Sequence, residues 1–217
     1  MKKVLVLVEG QTEERFVKDV FYPHLHQSGI YLIPKIATTK RVKSGPDFKG
    51  GIISYERVRN DIIRLLRDTN AACVTTMFDL YGLPSEFPGK STASGDPYAK
   101  VRTVEQAFEQ DINHPRFLGN LILHEFEGLL FIEPSQIART LNQPPKEQTL
   151  QEIRNAFHTP EEINDSRLTS PSKRIINIFP QYQKVVHGNI ISRRIGMNAI
   201  RENCPHFDEW VTRLEEL

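Results

Sequence analysis

The chain has 217 residues, with 28 Lys+Arg against 27 Asp+Glu and a formal net charge of +1. That length suits one sizeable domain with a smaller appended unit, and the balanced charge neither demands nor excludes nucleic acid, so any basic surface must be local. No apolar run approaches the roughly 18–20 residues that span a bilayer, and the apolar stretch before Glu9 is too short for a secretory signal, so a cytoplasmic protein is expected.

Val4-Leu5-Val6-Leu7-Val8 is a continuous apolar run of strand length, suited to a sheet covered on both faces. Gly10 permits a tight turn after it. Thr12 is the expected cap of the following helix, with Glu13 and Glu14 in its first turn. Phe16, Val17, Val20, Phe21 and Leu25 recur at helical spacing, and Gly29 closes the helix. Residues 31–37 read as a second strand, which Pro34 assigns to a sheet edge.

Residues 38–53 are basic and Gly-rich, hence a loop. Ser54 caps a helix to about residue 68, with Val58, Ile62, Leu65 and Leu66 inward. Residues 72–78 form a third strand ending on Asp79. Cys73 lies within it and Cys204 is far away without zinc spacing, so a buried free thiol is expected and no structural zinc. Residues 80–97 carry three Pro and three Gly and form a long loop, in which Tyr81 is expected to face the site and Phe87 to anchor on the core. A helix returns over 98–111, and 117–123 reads as a fourth strand.

This β-α-β-α-β-α-β order predicts an α/β fold with a mostly parallel sheet flanked by helices. Beyond Pro134 short helices broken by prolines replace it. The expected division is an α/β domain over 1–133 and a C-terminal helical extension over 134–217, packed on the sheet.

Ligands of open α/β sheets sit beyond the carboxyl ends of the strands. Here three strands of four end in acid: Glu9, Asp79 and the cluster His124-Glu125-Phe126-Glu127, with Glu13 one helical turn past the first. Two unit charges about 5 Å apart at an effective dielectric near 20 repel by roughly 3 kcal/mol, so several neighbouring carboxylates call for a cation. All-oxygen ligands favour a hard ion, Mg²⁺ or Mn²⁺ or Ca²⁺, and His124 tilts the choice towards Mn²⁺. Gly128 stands where HExxH needs its second histidine, so this is no zincin motif. Singly, each residue also has a structural reading: a helix-terminus partner for Glu9, a solvated first-turn acid for Glu13, a turn former for Asp79. Of Glu125 and Glu127, spaced two apart, one is expected to point away. In the loop, Lys40, Arg41, Lys43 and Lys49, with Phe48 and Tyr55 nearby, form a basic run usable for nucleic-acid phosphates.

An acidic "EG" closing the first strand and an Asp closing a later one, in this topology, resemble the Toprim domain over residues 1–132. That domain is shared by topoisomerases, primases and overcoming-lysogenization-defect nucleases. "VEGQTEERFV", "FDLYGLPSEFPG", "HEFEGLLF", "SPSKRI" and "CPHFDEW" together resemble the bacterial family known as domain of unknown function 4276, regarded as Toprim-like. The resemblance implies that Glu9 is a metal ligand or general acid/base, Glu13 the acid one turn later, and Asp79 the first acid of an Asp-x-Asp pair. The second acid is missing, with Tyr81 in its place, so Glu125 or Glu127 must substitute for ordinary two-metal chemistry. A lysine late in the chain near the metals is also implied, and Lys184 is the candidate. No topoisomerase tyrosine or primase zinc site is supported.

The reading that follows is an Mg²⁺- or Mn²⁺-dependent nuclease: Glu9, Asp79, Glu125 and Glu127 as metal ligands, Glu9, Glu13 and Lys184 as catalytic groups. By family analogy a partner ATPase of a defence system is implied; the chain itself lacks GxxxxGK[ST], so no P-loop nucleotide hydrolysis is expected of it. The alternatives are a non-catalytic Toprim-like binding or scaffold module and, more distantly, a small-molecule phosphatase.

Overall fold

A computed structural model of the chain describes residues 1–38, 52, 54–163 and 169–217. Lys40, Arg41, Lys43, Phe48 and Lys49 lie outside the described residues, and their contact with phosphates stays a proposal.

β1 (Lys2–Val8) pairs in parallel with β2 (Ile30–Ile36) on one side and β3 (Ala71–Asp79) on the other. β3 continues the parallel sheet to β4 (Phe117–Leu118) and β5 (Leu121–Ile122), so the order is β2-β1-β3-β4 with β5 also on β3. The unbroken apolar run of β1 follows from burial on both faces: Val4, Val6 and Val8 enter one core, Leu5 and Leu7 the other. β2 is the edge strand that Pro34 predicts.

α1 (Gln11–Phe16) and α2 (Tyr22–His26), joined by a π-helical turn over Val17–Phe21, pack Phe16, Val20, Phe21 and Leu25 on the first face. α3 (Tyr55–Leu66) and α4 (Pro97–Ile112) pack Val58, Ile62, Val104 and Phe108 on the second. The chain thus leaves β1 over one face towards β2, and leaves β3 over the other towards β4. This reversal puts a topological switch point between β1 and β3, where the loops after the two strands diverge and leave a crevice.

Two local expectations change. Thr12 does not cap α1: Gly10 precedes the helix, and Glu13 reaches back to accept the Gly10 N–H at 2.9 Å, while Thr12 is buried inside the first turn. The fourth strand is interrupted at Gly119-Asn120, and side chains take over the ladder there. Glu109 Oε1 accepts the Gly119 N–H at 3.0 Å, Glu105 Oε1 accepts the Leu121 N–H at 2.8 Å, and the Thr76 hydroxyl bonds both the N–H and the C=O of Asn120. The register is the same on both sides of the gap, so Ile122 ends opposite Asp79.

The 80–97 segment starts with a 3₁₀ turn, Leu80–Gly82, and is anchored by Phe87, whose ring lies 4.7 Å from that of Phe108 and 5.0 Å from that of Tyr55. Cys73 and Cys204 are both free and buried.

α5 (Pro134–Thr140), α6 (Glu147–Asn155), α7 (Pro171–Ile178), α8 (Asn189–Asn203) and α9 (Pro205–Glu215) follow, with no strand after Ile122 among the described residues. They put Ile137, Leu150, Ile175, Ile191 and Phe207 into the same core as Val4 and Met77. Trp210 of α9 donates its indole N–H to Thr75 of β3 at 2.9 Å. α8 kinks at Gly196, whose φ of 77° and ψ of 160° suit glycine and not a side-chain-bearing residue. Among the described residues, no helix is long and apolar enough to cross a membrane.

Candidate acidic site

Val8 lies opposite Met77, so the residues following β1 and ending β3 emerge side by side. Glu9 turns its carboxylate onto the end of β3, where Oε2 accepts the Asp79 N–H at 3.4 Å. Gly82 comes close on the other side: a Cβ there would stand 3.7 Å from Glu9 Oε1. Asp79 uses Oδ1 to accept the Phe126 N–H at 3.0 Å, fixing the start of the 3₁₀ segment Phe126–Ile132 against the strand end. Glu127 sits in the first turn of that segment with only 1% exposure. Glu125, just before it, accepts the Ser172 N–H of α7 at 3.0 Å. Lys184 opens a π-helical turn, Lys184–Gly188, and holds its ammonium 3.1 Å from Glu127 Oε1.

Burial and neighbouring charge shift the titration of these groups. Burial first, then Glu9, Glu13 and Glu127, push the Asp79 carboxyl well above its ordinary value. Burial and the neighbouring Glu9 raise Glu13 to about 7. Glu127 also stands at about 7, because burial outweighs the attraction of Lys184. Glu9 is raised by burial, with the Asp79 N–H and Lys184 opposing and Glu127 and Glu125 adding to the rise. Both Glu125 and Glu127 thus act on Glu9 through their charge. Burial alone would lower the Lys184 ammonium, but Glu127, Glu125 and Asp79 hold it above its ordinary value. Among the described residues one lysine thus stands against five carboxylates, four of which are pushed towards their neutral form.

The donor set is all hard oxygen, of the kind that takes Mg²⁺ or Mn²⁺. Glu127 Oε1, buried and 3.1 Å from the Lys184 ammonium, is an oxygen of that kind. Among the described residues, no three His, Cys, Asp or Glu side chains already stand at metal-ligand spacing. The set therefore fits a hard cation by chemistry and charge, with ligation requiring the side chains to draw in.

Of the other expected participants, His124 is buried and its carbonyl accepts the Tyr81 N–H at 3.4 Å; Tyr81 itself is half-buried. Among the described residues of the tail, Arg174 bonds the Thr169 carbonyl and Arg194 the Thr140 hydroxyl, while Lys184 bears on Glu9, Glu13, Asp79 and Glu127. Sequence reasoning missed two neighbours of the cluster, Ser172 and Tyr182. Both lie in stretches singled out for other residues, "SPSKRI" and the run leading to Lys184, and nothing in their spacing marks them.

A family model described as Domain of unknown function (DUF4276) matches residues 8–215. No curated protein matches the chain. Among solved structures, the C-terminal region of the Burkholderia pseudomallei OLD protein aligns over 99% of this chain and 99% of that chain, with a TM-score of 0.46 and 12% identity. The corresponding region of the Xanthomonas campestris pv. campestris OLD protein covers 100% of this chain and 99% of that chain, with a TM-score of 0.40 and 13% identity. Likenesses this weak establish nothing about the chemistry here.

Proposed function

The chain belongs to the DUF4276 family, and starting from that membership and its acidic crevice we propose that it is a Toprim-like, Mg²⁺- or Mn²⁺-dependent nuclease that hydrolyses phosphodiester bonds of nucleic acid. One observation carries the reading: among the described residues, five carboxylates gather beyond the ends of β1, β3 and β5 with a single lysine, and four of them are pushed towards protonation. A structural cluster of this kind is costly, and a divalent cation removes the cost.

Glu9, Asp79 and Glu127 would hold the ion, with Glu125 completing the set by its oxygen not engaged by Ser172. The bound ion would supply charge stabilisation at the phosphate and a more acidic water. Glu13, held near 7, is poised to accept that water's proton at neutral pH. Lys184 faces both the carboxylates and solvent, its side chain 45% exposed, and can meet a phosphate oxygen arriving from outside. Lys40, Arg41, Lys43 and Lys49 would hold the flanking backbone of the nucleic acid.

The scaffold reading is favoured by one fact: Glu9, Glu13, Asp79 and Glu125 each already accept a backbone N–H, as structural carboxylates do. Cleavage of labelled single- and double-stranded DNA and RNA, with and without Mn²⁺, separates the two. The nuclease reading expects Mn²⁺-dependent products that fall at least about 100-fold in Glu9→Gln and in Lys184→Met. No cleavage of any substrate, together with no Mn²⁺-induced rise in melting temperature, would leave the cluster a scaffold.

A further inference from the structure

Gly82 closes the 3₁₀ turn that follows Asp79, and it is exposed. Nothing in the backbone demands a glycine there. The glycines with positive φ among the described residues are Gly29, Gly89, Gly95 and Gly196, while Gly82 sits inside an ordinary 3₁₀ turn. A glycine loses more conformational freedom on folding than any other residue, so it weakens a turn that another residue could make. What it offers in return is the space it leaves.

That space has one neighbour. A Cβ on Gly82 would stand 3.7 Å from Glu9 Oε1 and 3.8 Å from Glu9 Oε2. Outside its own turn and chain neighbours it would meet no other described heavy atom within 4 Å. Glycines at packed surfaces differ. A Cβ on Gly89 would stand 2.8 Å from Ala107 Cβ, and one on Gly188 would stand 3.2 Å from the Tyr182 hydroxyl and 3.4 Å from Phe126. Those two let neighbouring elements close up, whereas Gly82 leaves room in front of both oxygens of a carboxylate. Glu9 is itself only half-buried, so the room leads from solvent to an acid of the cluster. The position is also fixed. Asp79 before the turn accepts the Phe126 N–H at 3.0 Å, and Leu83 and Phe87 after it are 4% and 2% exposed, so the turn is pinned at both ends.

We propose that Gly82 is the entrance of the acidic site: the phosphodiester approaches Glu9 across its bare Cα, and the missing side chain sets the bulk that can enter. The proposal rests on the phosphodiester reading above. The rival explanation is a glycine kept for the fold of the turn.

The test is fluorescence polarisation of a labelled thymidine decanucleotide on wild type, Gly82→Ala and Gly82→Val, alongside melting curves of each without metal. Ca²⁺ is present in the binding assay to offset the carboxylate charge and limit turnover. Gly82→Ala is expected to melt at or slightly above the wild-type temperature, because it reduces the freedom of the unfolded chain. Gly82→Val is expected to bind the decanucleotide about ten-fold or more weaker, the size of an ordinary steric clash, with Gly82→Ala in between. Binding of both variants at wild-type strength, or of Gly82→Ala alone should Gly82→Val not fold, overturns the entrance and leaves the site reading standing. A Gly82→Ala protein that melts lower and binds as wild type overturns it as well, and assigns the glycine to the fold. Absence of binding by wild type overturns the site reading, and this inference with it.

Discussion

Glu127 and Glu13 titrate near 7 in the folded chain, against 4.5 for an ordinary glutamate. Between those two values the folded protein keeps protons that the unfolded chain has already released. Stability without metal therefore falls as pH rises through that window, by on the order of a few kcal/mol for shifts of this size. Urea unfolding at pH 5 and pH 8 measures it, and Glu127→Gln should flatten the dependence. Glu9→Gln acts in the same direction. It removes one charge from the repelling set, so metal-free melting should stay level or rise while the Mn²⁺-induced increase shrinks. A Glu9→Gln protein that melts lower without metal, and a wild type indifferent to Mn²⁺, would make Glu9 a structural residue. At this scale the sequence shows which acids close the strands and hides their partners. Glu9 and Asp79 are visible because each follows an apolar run. Tyr182 and Ser172 are not, because what defines them is a missing or distant partner.

α9 is held to α4 and to the 3₁₀ turn Pro160–Glu162 by a second charged cluster. His206 Nε2 lies 3.1 Å from Glu105 Oε2, and Glu161 accepts the N–H groups of His206 and Phe207, both at 3.0 Å. Burial would lower the His206 pKa, but Glu105, Glu161 and Glu209 raise it above the ordinary 6.5. A raised histidine contributes stability that is complete below about 6.5 and is lost as pH rises through its folded value. His206→Gln should thus destabilise by about 1–3 kcal/mol at pH 6 and by less at pH 8.5, read from urea midpoints. Equal losses at both pH values would mean the imidazole is neutral in the fold. The same Glu105 also holds the Leu121 N–H at the interrupted strand. That interruption was illegible from residues 117–123 alone, which form a good strand by composition. It depends on Thr76, Glu105 and Glu109, contributed by two other elements.

Across the whole molecule, the change of pattern at Pro134 is easy to see in the sequence, but the core runs straight through it. Val4, Val8 and Met77 of the sheet share one apolar cluster with Ile137, Ile175, Phe207 and Trp210. A chain ending at residue 133 would open that face of the sheet to water and also lose Lys184. It is expected to lack a cooperative melting transition and to aggregate, as circular dichroism and light scattering would show. A soluble 1–133 fragment with native-like melting would make the helical segment an accessory. Parallel order, the edge position of β2 and the helical tail were all readable from periodicity and from proline. How closely the tail couples to the acidic crevice was not, since Ser172 and Lys184 reach it only through tertiary packing.

Four backbone amides are tied directly to the crevice: Gly10 to Glu13, Asp79 to Glu9, Phe126 to Asp79, and Ser172 to Glu125. They come from a turn, a strand end, a 3₁₀ segment and a helix start, far apart in the chain. Each reports the charge on the oxygen it faces, because a hydrogen bond to an ionised acceptor is stronger than one to a neutralised acceptor. The molecule therefore carries its own spectroscopic gauge. In ¹H–¹⁵N spectra, diamagnetic Mg²⁺ should move these four resonances along one shared saturation curve, with the amide protons shifting upfield as the ion draws charge from the carboxylates. Four unmoved signals would say that Mg²⁺ binds elsewhere, and four different curves would say that the carboxylates do not act as one set.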